Sequence, residues 1–391
     1  MAQAKGRTQD KTQSPKIGLV LSGGGARAAY QVGVIRAIAE MYPKRSPNPF
    51  PVICGTSAGA INSAALAIYG AHFQDAAQRL LRIWRNFHVH QVFRSDAASI
   101  AKIGAHWLAA FMLGGLGKRN PVSLLDRRPL RKLLNRYMPC EHIQASLDAG
   151  VIEALGISAS GYSSGKSVTF YQTNKTIVSW ERARRLGCHG RITLDHLMAS
   201  SAIPFVFAAE KINREYFGDG SMRQTAPLSP ALHLGADRVL VVGVTNEHDR
   251  EQERGSEEDY PSLAQIAGHI LNSIFLDSME ADLERLERIN KTIAMITSHH
   301  LEEHGARLRS IDVLVISPSE DIQEIAMRYV KDMPWTLRLL LRGIGSFKKN
   351  GSSLVSYLLF EKAFCRSLIS LGYADTMQRR EEVMSFMGLD S

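Results

Sequence analysis

The chain has 391 residues, of which 45% are hydrophobic and 22% are charged. This balance is typical of a soluble globular protein and excludes a collagen, a coiled coil and wholesale disorder. Lysine and arginine outnumber aspartate and glutamate by 47 to 38, which gives a formal net charge of +9. Such a basic balance indicates a polyanionic partner, either a nucleic acid or an anionic membrane surface, and composition alone does not choose between the two.

The spacing of the cysteines and the hydropathy of the chain indicate the cellular compartment of the protein. The four cysteines form no CxxC pair and show no His/Cys spacing of the kind that binds zinc; they are Cys54, Cys140, Cys188 and Cys365. We therefore expect a reducing, cytoplasmic setting and no metal. Residues 1–15 lack the apolar core of a secretory signal and are expected to form a disordered arm. The apolar stretch at 103–117 is shorter than the ~20 residues of a membrane-spanning helix, so no such span is expected.

The first regular elements alternate between strand and helix. An apolar run at 17–22 ends in a glycine turn, and a helical pattern follows at 26–40. The same order repeats with an apolar run at 51–54, a glycine-flanked turn and an alanine-rich helix at 60–69. This alternation predicts an α/β fold with a mostly parallel sheet.

Further elements follow along the chain. Neighbouring strands are predicted at 152–160 and 167–173, a helix at 194–200, and a buried strand at 238–244 that closes the α/β unit near residue 245. The charged segment at 248–260 is typical of a linker. Residues 246–391 are predicted to form a mainly helical extension, with a helix at 262–290, one strand at 311–316 and basic, leucine-rich helices at 332–372.

The motif Gly55-Thr56-Ser57-Ala58-Gly59 lies between a predicted strand and a predicted helix. In a nucleophile elbow, a serine occupies a strained strand-to-helix turn, so that its hydroxyl projects clear of the sheet. The glycines on either side leave room for the tight backbone. Such spacings also arise by chance in loops, but the strand before and the helix after favour the elbow.

The motif Gly23-Gly24-Gly25-Ala26-Arg27 opens the first helix. Its backbone N–H groups could bind a phosphate or a tetrahedral oxyanion. A dinucleotide-binding turn would need a glycine at Ala28, and a Walker A loop would need Gly-Lys-Ser/Thr, so the oxyanion interpretation leads. A purely structural tight turn is the alternative.

A serine nucleophile needs a base. The 13 histidines fall mostly in charged or helical stretches, and none follows a convincing strand. Asp219 does follow a short apolar run and is flanked by Gly218 and Gly220. By spacing alone it is equally well a reacting acid or an ordinary turn residue.

These three motifs together resemble the patatin-like phospholipase family, which has a glycine-rich loop, a GxSxG elbow and a DG[GA] motif in that order. The segments at 199–205 and 227–237 are also similar to stretches that flank the aspartate in that family, and the resemblance covers about 16–244. It implies a three-layer α/β/α sandwich with a central, mostly parallel sheet, and a catalytic domain at 16–245. The chain departs from the pattern at Ala28 and at Ser221, which replaces the last residue of DG[GA].

The resemblance implies a Ser-Asp dyad without histidine. Ser57 would be the nucleophile and Asp219 its proton acceptor, with Gly55, Gly59 and Gly220 shaping the two turns. The loop Gly23, Gly24, Gly25, Ala26 and Arg27 would form the oxyanion hole, mainly through the backbone N–H groups of Gly24 and Gly25. Fatty-acyl esters, phospholipids among them, would be hydrolysed through an acyl-enzyme without a metal or organic cofactor.

A lipid substrate requires a protein surface that meets a membrane. Since the chain has no nucleic-acid-binding motif, its basic charge favours anionic head groups, and peripheral contact with the inner face of a membrane is expected. Residues 335–344 have the composition of an interfacial helix, but packing of their leucines on the core is slightly favoured. The stretch at 103–117 is either a lid or substrate-channel helix or simply a buried one.

Three other functions stay open at this point. A lipid-binding or lipid-delivery protein could keep the same fold with only incidental hydrolysis. An α/β-hydrolase with a Ser-Asp-His triad is disfavoured because only one strand precedes the elbow. A nucleotide-binding protein ranks last.

Overall fold

The computed structural model describes residues 15–113, 122–245, 266, 268–270, 273, 277–295, 309–343, 346 and 352–389. The strands, in chain order, are β1 (Ile17–Leu21), β2 (Val52–Thr56), β3 (Ala154–Gly161), β4 (Ser167–Thr173), β5 (Glu181–Arg182), β6 (Arg185–His189), β7 (Glu210–Ile212), β8 (Glu215–Asp219), β9 (Arg238–Val242) and β10 (Asp312–Ile316).

The α-helices, in chain order, are α1 (Ala29–Met41), α2 (Ala58–Tyr69), α3 (Phe73–Trp84), α4 (Val89–Val92), α5 (Ala97–Met112), α6 (Arg128–Tyr137), α7 (His142–Asp148), α8 (Leu194–Ser200), α9 (Ser229–His233), α10 (Asp277–Met295), α11 (Ile322–Arg328), α12 (Trp335–Gly343), α13 (Ser352–Leu358), α14 (Lys362–Gln378) and α15 (Arg380–Met387). Short 3₁₀ helices lie at Gly25–Ala28, Gly220–Arg223 and Val330–Asp332.

All of these strands belong to one twisted sheet. Its main path runs β10-β9-β1-β2-β3-β4-β6-β5, and the strands from β10 to β3 are mutually parallel. β4 is antiparallel to β3, and the β7–β8 hairpin pairs with the end of β3 through β8. The predicted α/β fold with a mostly parallel central sheet is confirmed.

Helices cover both faces of the sheet, which gives three layers. Along β9, Leu240 and Val242 point into the core shared with α1, α2 and the C-terminal helices, whereas Val239 and Val241 point into the core beneath α9. This alternation follows from the pleat of a strand, since successive side chains point to opposite faces. β1 and β2 are buried throughout, as expected for strands covered on both sides.

Several predicted elements have the bounds that the sequence indicated. The helix at 194–200 is α8, where Thr193 and His196 form a reciprocal cap at its N-terminus. The predicted strand at 311–316 is β10. The predicted helix at 262–290 overlaps α10, which the structure describes at Asp277–Met295. Of the predicted arm at 1–15, residues 1–14 lie outside the described residues, as does the charged segment at 248–260.

The apolar stretch at 103–117 is not a buried helix, and that alternative was wrong. Its described part belongs to α5, on which Trp107, Leu108 and Met112 are exposed. Residues 114–117 lie outside the described residues. An apolar composition predicted burial, but helix α5 has no covering element on this face among the described residues, and its large side chains meet solvent.

The helix predicted at 335–344 divides its leucines between core and solvent. On α12, Leu337 and Leu341 are buried, as core packing predicts, whereas Trp335 and Leu339 are both 63% exposed. Ile344 lies outside the described residues. No helix in the described ranges is both long enough and apolar enough to cross a bilayer.

The C-terminal elements share the core of the α/β unit. β10 extends the sheet next to β9, and α14 packs against α1. Tyr30 on α1 donates its hydroxyl to Asp375 on α14 at 2.9 Å. The domain boundary predicted at residue 245 stays a prediction, but the described residues on both sides of it are joined by one sheet and one core.

Candidate active site

Ser57 occupies a strained turn between β2 and α2. Its φ of 55° and ψ of −126° are outside the regions that non-glycine residues favour, and it caps the N-terminus of α2. A Cβ atom at Gly55 would lie 2.4 Å from Ser63 Oγ, and one at Gly59 would lie 2.3 Å from the Leu21 carbonyl oxygen. The two glycines therefore let the first turn of α2 approach the ends of β1 and β2, as the elbow motif predicts.

A second serine supports this turn from below. The backbone N–H of Ser57 donates to Ser200 Oγ at 2.9 Å, and the Ser200 hydroxyl donates to the Ser158 carbonyl at 2.6 Å. Ser200 is fully buried at the end of α8. The sequence analysis did not assign this role to Ser200, although the residue lies inside the segment at 199–205 that carried part of the family resemblance.

Sheet pairing brings Asp219 next to Ser57. Thr56, at the end of β2, pairs with Ser158 on β3. Asp219, at the end of β8, pairs with Ala159, the next residue of β3. β8 thus pairs with β3 where β2 ends. Asp219 therefore lies beside Ser57, the residue that follows β2.

Asp219 is held in a buried turn. It is 0% exposed, and its Oδ1 accepts a hydrogen bond from the backbone N–H of Ser221 at 3.0 Å. A Cβ atom at Gly220 would lie 2.2 Å from the Ser158 carbonyl oxygen, so glycine is needed where the chain crosses β3. Ser221 keeps the turn closed through its amide, so the departure from DG[GA] leaves the carboxylate in place.

The ionisation of Asp219 is tuned by opposing effects. Burial raises the pKa of Asp219 to about 6, although the Ser57 hydroxyl, the Ser221 amide and the Arg127 charge favour the carboxylate. Its Oδ2 is buried and makes no hydrogen bond of good geometry within the described part of the chain. The carboxyl group of Asp219 is therefore buried, is influenced by the Ser57 hydroxyl and has a pKa near neutrality, in the range that suits a general base.

Arg127 is a residue that the sequence analysis missed. Its guanidinium is buried, donates to the Met198 carbonyl and to the Ala208 carbonyl at 2.7 Å, and lies 3.2 Å from the Glu210 carboxylate. Burial lowers the pKa of Arg127 to about 10, so the group keeps its charge at neutral pH. That charge favours the ionised form of Asp219. No local motif marks this arginine, because its partners are backbone carbonyls far along the chain.

The glycine loop lies at the carboxyl end of β1, on the same edge as Ser57. Gly23 and Gly24 lead into the 3₁₀ helix Gly25–Ala28, which contains Ala26 and Arg27, and all of these residues are buried. A Cβ atom at Gly24 would lie 2.6 Å from Val244 Cγ2. Gly25 has a φ of 56° and would meet the Tyr357 carbonyl oxygen at 2.4 Å. Ala28 fits without strain, so the missing family glycine there does not disturb the loop.

A cavity with an almost wholly apolar wall begins at Ser57 and Gly25. Aliphatic and aromatic side chains from α2, α3, α6, the loop after α8 and the segment after α13 contribute to its wall; they include Ile61, Ala65, Leu80, Ile83, Trp84, Leu130, Leu134, Ile203, Phe207 and Phe360. In the described part of the chain, no histidine lines this cavity. A lining of this kind suits a hydrocarbon chain better than a polar ligand.

The structure therefore collects the predicted site residues at one edge of the sheet. The elbow, the glycine loop and Asp219 meet at the carboxyl ends of β1 and β2, where α/β folds bind their ligands. Across the described ranges, no cluster of three or more His, Cys, Asp or Glu side chains could hold a metal ion.

The model of the family described as patatin-like phospholipase matches residues 19–232. This range is more than half of the 391 residues and contains the glycine loop, the elbow and Asp219. The protein belongs to the patatin-like phospholipase family. Membership in this family supports a lipid hydrolase activity.

Solved structures also show similarity to this patatin-like chain. It is similar to VipD from Legionella pneumophila at 13% identity, with a TM-score of 0.37 over 94% of this chain and 67% of that chain. It is similar to the type III effector protein ExoU at 17% identity, with a TM-score of 0.28 over 88% of this chain and 77% of that chain. The ExoU–SpcU complex of Pseudomonas aeruginosa matches at 14% identity, with a TM-score of 0.26 over 94% of this chain and 76% of that chain. No curated protein matches the chain.

Proposed function

We propose that this patatin-like protein is a lipid acyl hydrolase that cleaves fatty-acyl esters with a Ser57–Asp219 dyad. The observation that carries the proposal is the position of Ser57, on a strained elbow that lines an apolar cavity and beside the buried carboxylate of Asp219. A serine hydroxyl needs a base to attack an ester, and the effect of the Ser57 hydroxyl on the ionisation of Asp219 supports Asp219 as that base.

The reaction proceeds in two acyl transfers. Asp219 takes the proton of Ser57 while Ser57 Oγ attacks the ester carbonyl, and collapse of the tetrahedral intermediate releases the alcohol with that proton. Asp219, a carboxylate again, then takes a proton from water, whose oxygen attacks the acyl-enzyme. The second collapse returns the proton to Ser57 and releases the fatty acid.

The glycine loop supplies the electrostatic part of catalysis. Its backbone N–H groups, chiefly those of Gly24 and Gly25, bind the oxyanion that forms on the carbonyl oxygen of the substrate. Donors fixed in a water-poor site stabilise this charge strongly, because no reorganisation is needed when it appears. The N-terminus of α2 adds a positive field at the same place.

The cavity indicates the class of substrate. An acyl chain that lies along Ile61, Leu80 and Leu134 brings its ester carbon to Ser57 and leaves the alcohol part, such as a glycerophosphate head group, toward solvent. Burial of each methylene contributes about 0.8 kcal/mol, so long-chain esters gain most. Phospholipids and lysophospholipids are the substrates that fit the family and the cavity together.

The membrane is the second partner that we propose. Exposed apolar side chains lie on three segments near the cavity, and hydrogen bonds join these segments. Trp107 Nε1 donates to the Ser123 carbonyl at 3.4 Å, and the Leu124 N–H donates to the Phe205 carbonyl at 2.9 Å. Phe205 is 82% exposed and follows the cavity residue Ile203. These side chains would enter the interface of an anionic bilayer at the inner face of the cell membrane, where a cytoplasmic protein with a net charge of +9 is attracted.

A lipid-binding protein with incidental hydrolysis is the alternative from a different class. It shares the apolar cavity but gives no reason for the strained elbow or for a buried base with a pKa of about 6. The experiment that separates the two incubates the purified protein with mixed vesicles of phospholipid, lysophospholipid and triacylglycerol and identifies the products. We expect release of fatty acid by the wild type and none by Ser57→Ala; lipid binding without any product would support the alternative.

A further inference from the structure

The side chain of Arg27 is directed into the C-terminal part of the protein. Arg27 is only 1% exposed, and it is absent from the described wall of the apolar cavity, although its neighbour Gly25 belongs to that wall. A buried guanidinium needs hydrogen-bond partners, because burial without them is costly. These partners show what holds the glycine loop in place.

The side chain of Arg27 contacts α13. Its Nε donates to Ser356 Oγ at 2.8 Å, 329 residues further along the chain, and its Nη2 donates to Ser353 Oγ at 3.3 Å. The guanidinium carbon lies 4.1 Å from the centre of the Tyr357 ring, within the range of a cation–π contact. Two serines and a tyrosine on successive turns of α13 therefore contact the charged group.

The Ser356 hydroxyl has a fixed direction. It donates its own proton to the Ser353 carbonyl at 2.6 Å, so its oxygen presents lone pairs toward Arg27 Nε. A hydroxyl that can only accept from the guanidinium is a more specific partner than one that is free to rotate. The two serines thus constrain the position of the Arg27 guanidinium.

The loop backbone also contacts α13 directly. Because a Cβ atom at Gly25 would lie 2.4 Å from the Tyr357 carbonyl oxygen, the loop and the helix are in van der Waals contact at this glycine. The other side of Gly25 faces the cavity with Ser57. A displacement of α13 would therefore move the backbone atoms that face the reacting carbonyl.

The segment that follows α13 is itself held by contacts with the start of α4 and with α1. Glu361, which follows α13, accepts from the Val89 N–H at 3.3 Å and lies 2.8 Å from His88 Nδ1. On the next helix, a Cβ atom at Gly372 of α14 would lie 2.2 Å from the Tyr30 carbonyl oxygen of α1. Since α1 begins directly after the glycine loop, α13 and α14 hold the loop and the helix that continues it.

We infer that α13 positions the oxyanion loop of this enzyme, with Ser353, Ser356 and Tyr357 as positioning residues that act through Arg27 and Gly25. The inference rests on the proposed hydrolase function and extends it to residues beyond 232, where the family match ends. A catalytic unit that stops at about residue 245 would lack the support for its oxyanion loop. Activity would also respond to any partner that moves α13.

The test uses the full chain with Ser356→Ala, Ser353→Ala and Tyr357→Leu. We measure kcat and KM for a p-nitrophenyl ester, Ki for a trifluoromethyl ketone that mimics the tetrahedral intermediate, and the melting temperature. Tyr357→Phe keeps the ring under the guanidinium and is the conservative variant. Thr376→Ala is the matched control, since it removes another buried hydroxyl that donates to a helix carbonyl, Gly372 O at 2.7 Å, away from the loop.

Loss of positioning lowers transition-state stabilisation without weakening substrate binding. Ser356→Ala and Tyr357→Leu should lower kcat by about tenfold with little change in KM, and Ki of the ketone should rise by the same factor. Ser353→Ala, which deletes the longer contact, should have a smaller effect in the same direction. Tyr357→Phe and Thr376→Ala should resemble the wild type. Wild-type kcat and Ki in folded Ser356→Ala and Tyr357→Leu would overturn the inference.

Amide hydrogen exchange gives a second measurement that does not depend on hydrolysis. In Ser356→Ala and Tyr357→Leu, exchange in a peptide that covers residues 22–30 should speed up relative to one that covers the elbow at 52–60. Equal protection of the loop in the wild type and in these variants would contradict the inference even if the wild type cleaved no ester. Absence of wild-type hydrolysis would instead reject the proposed function.

Discussion

Asp219 pairs with Ala159 on β3, one residue beyond Ser158, which pairs with the residue that precedes Ser57. A single strand thus sets the relative position of two side chains that lie far apart in the chain. β3 brings a buried carboxylate beside a serine whose φ of 55° projects its hydroxyl from the sheet. This arrangement would let the proposed Ser57–Asp219 dyad work without histidine.

The first prediction concerns pH. Burial raises the pKa of Asp219 to about 6, and only the carboxylate can accept the proton of Ser57. Therefore kcat/KM should be constant well above pH 6 and fall about tenfold for each pH unit below it. The check is a pH profile of kcat/KM for a neutral ester whose own ionisation does not change in this range.

Substitutions at Arg127 provide a control for the pH profile of kcat/KM. Its positive charge favours the ionised Asp219, so removing the charge raises the pKa of Asp219 further. In Arg127→Gln the acid limb should move to higher pH by about half a unit or more, whereas Arg127→Lys should keep it near the wild-type position. An acid limb that is the same in both variants would show that Arg127 does not act on the base.

The second prediction concerns the glycine loop. In Gly25→Ala the new Cβ would meet the Tyr357 carbonyl oxygen at 2.4 Å at a backbone φ of 56°, which L-residues rarely adopt. We expect a loss of about 1–3 kcal/mol in the free energy of unfolding and a much larger loss of kcat, because the loop must shift. Denaturant unfolding and steady-state kinetics measure the two effects.

Gly104 is the matched control position for Gly25→Ala. It lies in α5, no heavy atom would come within 4 Å of an added Cβ, and the position is exposed. Gly104→Ala should stabilise the protein by about 0.5–1 kcal/mol through helix propensity and leave kcat unchanged. Similar losses in both variants would mean that the contact at Tyr357 is not what constrains Gly25.

The third prediction concerns the acyl chain. Ala65 on α2 belongs to the cavity wall, and Ala65→Phe fills part of the space beyond Ser57. The variant should keep its activity on p-nitrophenyl butyrate and lose about tenfold or more in kcat/KM on the palmitate ester, because a long chain no longer fits. An equal loss on both esters would indicate general damage to the fold rather than a shortened cavity.

The fourth prediction concerns the membrane face. Phe205→Ser and Trp107→Ser remove exposed apolar side chains near the cavity and should weaken binding to anionic vesicles by about tenfold each. Activity on a water-soluble ester should not change. Sedimentation with vesicles of phosphatidylserine and phosphatidylcholine measures the binding, and a third variant, Val178→Ser, tests an exposed apolar residue elsewhere on the surface.

Unchanged sedimentation of Phe205→Ser and Trp107→Ser would place the membrane contact on another surface. Of the remaining candidates, Trp335 and Leu339 on α12 are the exposed pair that the sequence already singled out. The double variant Trp335→Ser, Leu339→Ser distinguishes the two faces directly.

Local chain geometry made part of this site predictable from sequence. The elbow at Ser57 and the glycine loop each depend on close backbone contacts that only glycine allows, so their residue types mark them. The order of strands and helices likewise follows from hydrophobic periodicity. These features are local, and the sequence carries them within a few residues.

The remaining features depend on contacts between distant segments. The role of Asp219 was assigned through resemblance, because its position beside Ser57 results from the pairing of β8 with β3. Ser200 and Arg127 have partners that are mostly backbone carbonyls or amides, and such partners leave no motif. Of the two alternatives for α5, the buried helix was wrong, because an apolar composition predicts burial unless the covering element is known to be missing.

The measurement that tests the central claim most directly is capture of the acyl-enzyme. The wild type is mixed with a phospholipid of defined acyl chains, quenched within milliseconds in acid and digested for mass spectrometry. The account predicts one acyl chain on the peptide that contains Ser57, its loss in Ser57→Ala, and a greatly reduced rate of its formation in Asp219→Asn. Asp282→Asn, which alters a buried aspartate on the other face of the sheet with a burial-raised pKa, should behave as the wild type. Acylation of another residue, or unchanged acylation in Asp219→Asn, would contradict the account.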